Sequence, residues 1–480
     1  MQSFEGTFLE SGILAAGEWI KQGARVEINS PYTGKPIGST FLANSKHLER
    51  AISAAVSSFA ELRQLASYQR KDVLLKVASA IRQHGETFVR LMALEAGKPV
   101  KAARVEVERA VLTFTTAAEE AVRIYGEYLP LDFIPSAEER WGIVRRFPVR
   151  AIAAITPFNF PLNLVAHKLA PAMAVGCPVV LKPAPQTPFC ALLLAKLILE
   201  AGWPPSGLSV LPLSNEDAGR LVADERIKLL SFTGSAAVGW QLKRDAGKKR
   251  VVLELGGNAA VIVHSDTNLE AAVSRCLSGA FTYAGQSCIS VQRILVHADI
   301  FDQFTAQMAE GAARLHVGDP SDEKTDVGPM IRASDVQRVE QWVKEAVAAG
   351  AKLLCGGTSN GSLIAPTLLS ATTPQMKVNC EEIFAPVVAI EPYNDFEDAL
   401  DRANQSRYGL QAGLFTRDAA LIFRAFERLE VGGVMVGDVP TFRVDPMPYG
   451  GVKDSGLGRE GTRYAIEELT ERKLLVMAGL

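Results

Sequence analysis

Cysteine is scarce in this chain and follows no pattern. The 480 residues contain six: Cys177, Cys190, Cys276, Cys288, Cys355 and Cys380. They form no C-x-x-C pair and have no histidine at zinc-finger spacing, so a zinc framework is excluded and no metal site is expected. The N-terminal Met1-Gln2-Ser3-Phe4-Glu5-Gly6 lacks the basic start and apolar run of a secretory leader. Without a leader, the cysteines read as free thiols of a reducing compartment. No stretch approaches the ~20 apolar residues of a membrane span. The best candidate, residues 191–203, is interrupted by Lys196 and Glu200. An excess of charge is missing too. Lys+Arg number 51 and Asp+Glu 53, which removes the basic footprint of a nucleic-acid binder. With Gly at 39 and Pro at 25, collagen-like and low-complexity readings also fail. These absences predict a cytoplasmic protein with neither nucleic-acid nor membrane partners.

What is present is enough apolar material for more than one core: 48% hydrophobic against 22% charged residues. Apolar spacing predicts two helices over residues 45–92, carried by Leu48, Ala51 and Ala55, then by Val73, Leu74, Val77 and Ile81. A third is predicted over Lys101–Tyr125. Gly126–Pro148, punctuated by Pro130, Pro135 and Pro148, reads as a hairpin leaving the body of the fold. From Val149 short apolar runs alternate with helical ones, the signature of successive βαβ units. The alternation resumes after Gly257, so a second such unit is placed there. The fold class is α/β, with two doubly wound parallel-sheet domains. The β-prone run Leu474–Met477 is expected to pair with another element or another subunit.

Several motifs carry possible chemistry, each with a plainer alternative. Gly456–Gly461 spells G-x-G-x-x-G, but no strand is predicted before it and too little chain follows for a βαβ unit. It reads as a turn. Phe232-Thr233-Gly234-Ser235, at a strand-to-helix junction, suits an anion held by free N–H groups; otherwise Ser235 is simply a helix cap. Lys182 ends a strand and would point into a ligand crevice, or lie on the surface. Glu254, between Leu253 and Leu255, must be paired, protonated or functional. Cys288 stands where a helix gives way to a loop and is a nucleophile if its thiol can ionise next to a substrate; otherwise it is a buried, inert cysteine. Asn159, just past a strand, can offer its amide to an oxyanion or form a turn.

In this order, Pro157-Phe158-Asn159-Phe160-Pro161, Lys182-Pro183, Phe232–Ser235, Glu254-Leu255-Gly256-Gly257 and Gly285-Gln286-Ser287-Cys288 resemble the motif series of the aldehyde dehydrogenase superfamily. Glu381–Pro386 and Pro448–Lys453 continue the series, and the likeness runs from about residue 15 to the end. It implies an NAD(P)-binding domain of residues 1–125 and 149–256 and a catalytic domain of 257–455. It also implies an oligomerisation arm of 126–148 and 468–480 in a homodimer or homotetramer. By resemblance Cys288 is the nucleophile, with Asn159 and the Cys288 N–H as oxyanion donors. Glu254 activates water, and Lys168 and Glu460 assist proton transfer. The cofactor would meet Lys182 at the adenosine ribose, Ser235 at the pyrophosphate, and Glu382 and Phe384 at the nicotinamide ribose. Ile155, Thr156, Pro185, Gly234, Gly239 and Leu255 would surround it.

The sequence also departs from the pattern. Pro185 stands where NAD-preferring members carry a glutamate, so the cofactor is NAD or NADP. Tyr449 replaces a common Phe, and Ala385 a usual Gly; neither is expected to disturb the chemistry. The loop Thr441–Tyr449 resembles that of lactaldehyde-type enzymes, which implies a small polar aldehyde such as lactaldehyde, glycolaldehyde or a semialdehyde. Arg109, Phe160 and Arg443 would face it, unless the arginines serve only in ion pairs. The alternatives are a CoA-acylating semialdehyde dehydrogenase, which Glu254 argues against, and a phosphorylated or phosphonate aldehyde, disfavoured by Ser287 where Arg is common. A non-catalytic relative is opposed by the intact Cys288, Glu254 and Asn159.

Overall fold

Runs of Val, Ile, Leu and Ala without polar alternation fold as strands covered on both faces. In the computed structural model, which describes residues 8–479, five such runs form a parallel sheet. They are β1 (Ile152–Ile155), β2 (Val179–Lys182), β3 (Leu208–Val210), β4 (Leu229–Thr233) and β5 (Arg250–Glu254), in the order β5-β4-β1-β2-β3. The N-terminal hexapeptide and Leu480 lie outside the described residues.

Four helices precede the sheet: α1 (Ser45–Leu62), α2 (Ser67–Gln83), α3 (Gly85–Ala96) and α4 (Val100–Ala121). Residues 45–92 therefore hold three helices where the periodicity predicts two. A single residue, His84 (φ −96°, ψ 19°), separates α2 from α3, so the apolar spacing runs on without a loop to mark the break. The crossovers of the sheet are α5 (Asn163–Val175), α6 (Pro188–Glu200), α7 (Asn215–Ala223) and α8 (Ala236–Asp245). The chain winds outward from β1 through β2 and β3, then returns to β4 and β5. The loops after β1 and β4 diverge at that reversal and open a crevice at the strands' C-terminal ends.

Gly456–Leu457 is more than a turn. It is a two-residue strand on the sheet edge, antiparallel to β5, with Gly456 opposite Glu254. Gly456 has φ +152°, and a Cβ there would come within 2.2 Å of the Leu253 carbonyl oxygen, so only glycine fits. So short an edge pairing leaves no periodic trace in sequence.

The second sheet starts two residues after Gly257. Its parallel strands are β6 (Ala259–Val263), β7 (Val291–His297), β8 (Thr367–Ser370), β9 (Val387–Tyr393), β10 (Gln411–Phe415) and β11 (Gly433–Val436), in the order β8-β9-β7-β6-β10-β11. Around it pack α9 (Leu269–Phe281), α10 (Phe301–Ala313) and α11 (Ala333–Ala348). The α/β expectation of two parallel sheets holds. The segment 126–148 is indeed a hairpin, Glu127–Pro130 against Arg140–Pro148, and Thr470–Ala478 of the same chain adds a third strand to it. Leu474, Leu475 and Val476 on that strand remain exposed. Among the described residues no helix is long and apolar enough to cross a membrane, and all six cysteines are free.

Two crossover helices begin without a side-chain cap of their own and are capped from elsewhere. The Glu106 carboxylate accepts the Leu162 and Asn163 N–H groups at 2.9 and 3.0 Å, at the start of α5. Glu95 accepts those of Phe189 and Cys190 at 2.8 and 2.9 Å, at the start of α6. A negative charge there meets free N–H groups and the positive end of the helix dipole. Glu106 is also ion-paired with the fully buried Lys98, whose ammonium lies 3.7 Å from the centre of the Phe160 ring. Removing one member of such a pair strands the other. Glu106→Ala should therefore cost about 3–5 kcal/mol, and adding Lys98→Met should recover part of it, both read from thermal unfolding.

Candidate functional site

Between the two sheets lies a cavity of about 280 Å³. Its wall brings together Cys288, Glu254, Asn159 and Glu460, along with Arg109, Phe160 and Arg443. These residues come from α4, the loop after β1, the end of β5, the loop before β7 and the segment 443–460.

The Cys288 loop is held from several sides. After α9 the chain turns sharply, with Tyr283, Ala284 and Gly285 all in the left-handed region at φ 54°, 53° and 65°. Such backbone persists only when its surroundings enforce it. Gln286 does much of this: its amide donates to the Pro329 carbonyl at 3.1 Å and accepts the Ile331 N–H at 2.9 Å. Asn159 Nδ2 in turn donates to the Gln286 carbonyl at 3.0 Å, which ties the loop after β1 to the cysteine loop. Cys288 Sγ lies 3.0 Å from the Tyr449 hydroxyl. Burial, working against that hydrogen bond, pushes the thiol up to about 12.

Glu254 ends β5 at 3% exposure, and among the described residues neither of its carboxylate oxygens has a hydrogen-bond partner. The ion-pair alternative is thereby excluded. Burial, reinforced by the negative Glu460, raises its carboxyl well above the ordinary range. Glu460 is equally buried but well paired. Lys168 Nζ lies 3.2 Å from one oxygen and Arg443 Nη2 3.1 Å from the other. These cations, with His167, outweigh burial and hold Glu460 at about 2. Two neighbouring carboxyls pushed apart in this way differ in which can hold a proton near neutrality.

Arg109 and Arg443 both stand in ion pairs, and both line the cavity. Arg109 binds Asp445 through two nitrogens, at 2.8 and 3.2 Å. Asp445 also meets His167 Nε2 at 2.7 Å and Asn163 Nδ2 at 3.1 Å. Burial opposes its ionisation, but His167 and Arg109 hold it well below the usual carboxylate range. Arg443 lies over the Tyr449 ring, 3.6 Å from its centre, and its buried Nε has no partner among the described residues. The Tyr449 hydroxyl, which a Phe would lack, touches the cysteine. Asn163 and His167 carry no signal in their neighbours, and Gln286 and Asp445, though inside motifs read from the sequence, carry no role of their own there.

Of the residues expected around a cofactor, Gly234, Ser235, Leu255, Glu382 and Phe384 line the cavity. Ser235 occupies the N-cap position of α8, but its hydroxyl makes no cap hydrogen bond. The oxygen and the helix N–H groups remain available to an anion. Gly239 lets α8 pack on the end of β5, because a Cβ there would fall 2.3 Å from Leu255. Glu382 accepts the Gly257 N–H at 2.9 Å, and burial lifts its carboxyl to about 7. Phe384, at φ 51°, sets its ring edge-on to Phe158. Ile155, Thr156, Lys182 and Pro185 lie outside this wall, at the C-terminal ends of β1 and β2. Ile155 is paired with Lys182 in the ladder, and the Thr156 N–H donates to the Lys182 carbonyl at 3.1 Å. Lys182 is 7% exposed and not on the surface, and burial pulls its ammonium pKa down. Pro185 is exposed on the following loop.

A family model described as "Aldehyde dehydrogenase family" matches residues 19–475. The 3-sulfolactaldehyde dehydrogenase of Priestia aryabhattai is 44% identical over 97% of this chain and 98% of its own length. Among solved structures, aldehyde dehydrogenase 21 of Physcomitrella patens, in complex with the reaction product succinate, has a TM-score of 0.96 at 44% identity. That match covers 98% of each chain. The glyceraldehyde-3-phosphate dehydrogenase of Methanocaldococcus jannaschii complexed with NADP has a TM-score of 0.92 at 38% identity, over 96% of this chain and 100% of that one.

The state of Glu254 has a consequence for stability. Its folded pKa is raised above the unfolded value of ~4.3, so the stability present below that pH is lost as pH rises toward the folded pKa. Glu254→Gln removes this loss. The variant should unfold at a higher temperature than the parent at pH 8, with the difference shrinking as the pH is lowered toward ~4.5, a trend calorimetry at several pH values would follow.

Proposed function

The chain belongs to the aldehyde dehydrogenase family, and on that premise we propose that it oxidises a short anionic aldehyde to the carboxylic acid through a thioester on Cys288. The observation that carries this reading is Glu254, a buried carboxylate without a partner in the wall of the cavity that holds Cys288. A carboxyl kept in reserve beside a thiol is what thioester hydrolysis requires and what acyl transfer to CoA does not.

The cofactor is NAD or NADP, and the residues fit it. Ser235 with its free hydroxyl and the start of α8 would take the pyrophosphate. Lys182, buried with no carboxylate bonded to it, would take the adenosine ribose. Glu382, accepting a backbone N–H beside the cavity, would take the nicotinamide ribose. Pro185 offers no charge to repel a 2′-phosphate, so NADP is admitted as readily as NAD. When bound, the nicotinamide supplies the hydride acceptor.

The chain's own groups do the rest. Once its thiol proton has passed to solvent, the Cys288 sulfur adds as thiolate to the aldehyde carbon, and the oxygen that becomes anionic is met by Asn159 Nδ2 and the Cys288 N–H. Loss of hydride from that carbon leaves an acyl thioester. Glu254 then takes a proton from water as the water oxygen adds to the thioester carbonyl, and the sulfur departs as thiolate. Glu460 and Lys168, paired beside Glu254, stand ready to relay the proton. The division into an NAD(P)-binding and a catalytic domain is supported by the two sheets. The exposed apolar residues on the three-stranded arm support its use between subunits of a homo-oligomer.

For the substrate, 3-sulfolactaldehyde, succinate and glyceraldehyde 3-phosphate, named for the relatives, share an anionic group a few atoms from the reacting carbon. Arg443, with an unpartnered Nε, and Arg109 supply cations in the cavity wall, and Phe160 an apolar face. We place the anionic end there.

Steady-state NADH and NADPH formation from lactaldehyde, glycolaldehyde, succinic semialdehyde and a phosphorylated aldehyde, without CoA, tests the reading. Turnover is expected to favour an anionic aldehyde, and an absolute need for CoA would overturn the hydrolytic step. Arg443→Ala should raise KM for succinic semialdehyde roughly 10- to 100-fold and for glycolaldehyde much less. An equal KM for both in variant and parent would remove the arginine from the site. In rapid-mixing experiments, Glu254→Gln should release one reduced cofactor per active site and then stall; steady turnover at the parent's rate would end the role given to Glu254.

A further inference from the structure

The sulfur of Cys288 lies among groups that mostly oppose its ionisation. Burial, Glu382 and Glu254 all disfavour a thiolate, and Arg443 favours it. Among the described residues one uncharged side chain stands within hydrogen-bond reach. The Tyr449 hydroxyl is 3.0 Å away, and Tyr449 is 2% exposed. That contact is asymmetric in charge. With a neutral thiol either atom can donate, but with a thiolate only the phenol can, and the bond becomes charge-assisted and stronger.

The phenol is held firmly in place. Tyr449 and Glu460 exchange backbone hydrogen bonds, N–H to carbonyl at 3.0 Å in one direction and 2.6 Å in the other. The Arg443 guanidinium covers the face of the Tyr449 ring at 3.6 Å while bonded to Glu460 at 3.1 Å. A cation on a ring face draws on its electron density and makes the attached O–H a better donor. A Phe at this position would keep the ring, the stacking and the backbone bridge, but leave the sulfur without a side-chain donor. Besides Arg443, Cys288 and Glu254 act most strongly on the phenol, and both oppose its ionisation.

We propose that Tyr449 is the donor that stabilises the Cys288 thiolate, with Arg443 on its ring strengthening the bond. This rests on the reading of Cys288 as the nucleophile. The donor compensates for the burial that shields the thioester from bulk water, and it links the reactivity of the sulfur to the Lys168–Glu460–Arg443 charges that surround Glu254.

The experiment compares the full-length protein with its Tyr449→Phe variant. The rate of iodoacetamide alkylation is followed against pH, and modification at Cys288 is located by peptide mass spectrometry. In Tyr449→Phe the alkylation midpoint should move up by about one pH unit, and the rate near neutrality should fall about tenfold. The burst of reduced cofactor should slow alongside and recover as pH is raised. A purely structural role for Tyr449 would leave the pH midpoint where it is. Superimposable profiles, or a downward shift, overturn the inference. Cys288→Ser separates the two readings. Turnover surviving in that variant refutes the nucleophile itself, whereas lost turnover with an unchanged Tyr449→Phe profile refutes only the part given to Tyr449.

Discussion

Everything at the centre of this molecule depends on one carboxylate being kept dry and unpaired. Glu254 ends a strand between two leucines with both oxygens unbonded, an arrangement that opposes folding whenever the group is charged. The surrounding structure does not relieve it, because the nearby cations are engaged elsewhere. Lys168 and Arg443 bond to Glu460, and Arg109 to Asp445. Had either of the first two turned to Glu254, its pKa would have fallen toward the ordinary carboxyl range.

The architecture explains how that distribution is enforced. The reversal of strand order in the first sheet opens the crevice, and β5 delivers Glu254 to its edge. The second sheet brings the Cys288 loop from the opposite side, and Gln286 and Asn159 join the two. The segment 443–460 then supplies Arg443, Asp445, Tyr449 and Glu460, four side chains that between them meet α4, α5 and the Cys288 loop. Buried polar networks of this kind fix geometry as well as charge. Glu95 and Glu106 have a comparable function beneath the site, since each caps a helix that cannot cap itself.

Much of this is legible in the amino-acid sequence. The βαβ rhythm, the break near Gly257 and the hairpin at 126–148 follow from apolar spacing and proline placement. Glu254 stands out because a carboxyl is an unusual residue type inside an apolar strand, and Cys288 and Asn159 stand out through the order of the motifs that contain them. The break between α2 and α3 is hidden because a single residue makes it. The Gly456–Leu457 strand is hidden because its pairing is set by the edge of β5. Contacts over long sequence separation are equally invisible: Tyr449 lies 161 residues from Cys288, and Asp445 336 from Arg109.

By itself, then, the sequence determined which groups are present: a thiol, a carboxyl inside an apolar strand, an amide past a strand end and a strand-to-helix turn, in an order that names a family. Only the tertiary structure decided how charge is shared among them. Glu254 and Glu460 are the same residue type and both are buried, yet one is raised well above the ordinary carboxyl range and the other held at about 2. Electrostatic interactions fall off over a few ångströms in a poorly screened interior. Which glutamate keeps its proton is therefore settled by where Lys168 and Arg443 come to rest, and that depends on how segments far apart in the chain pack.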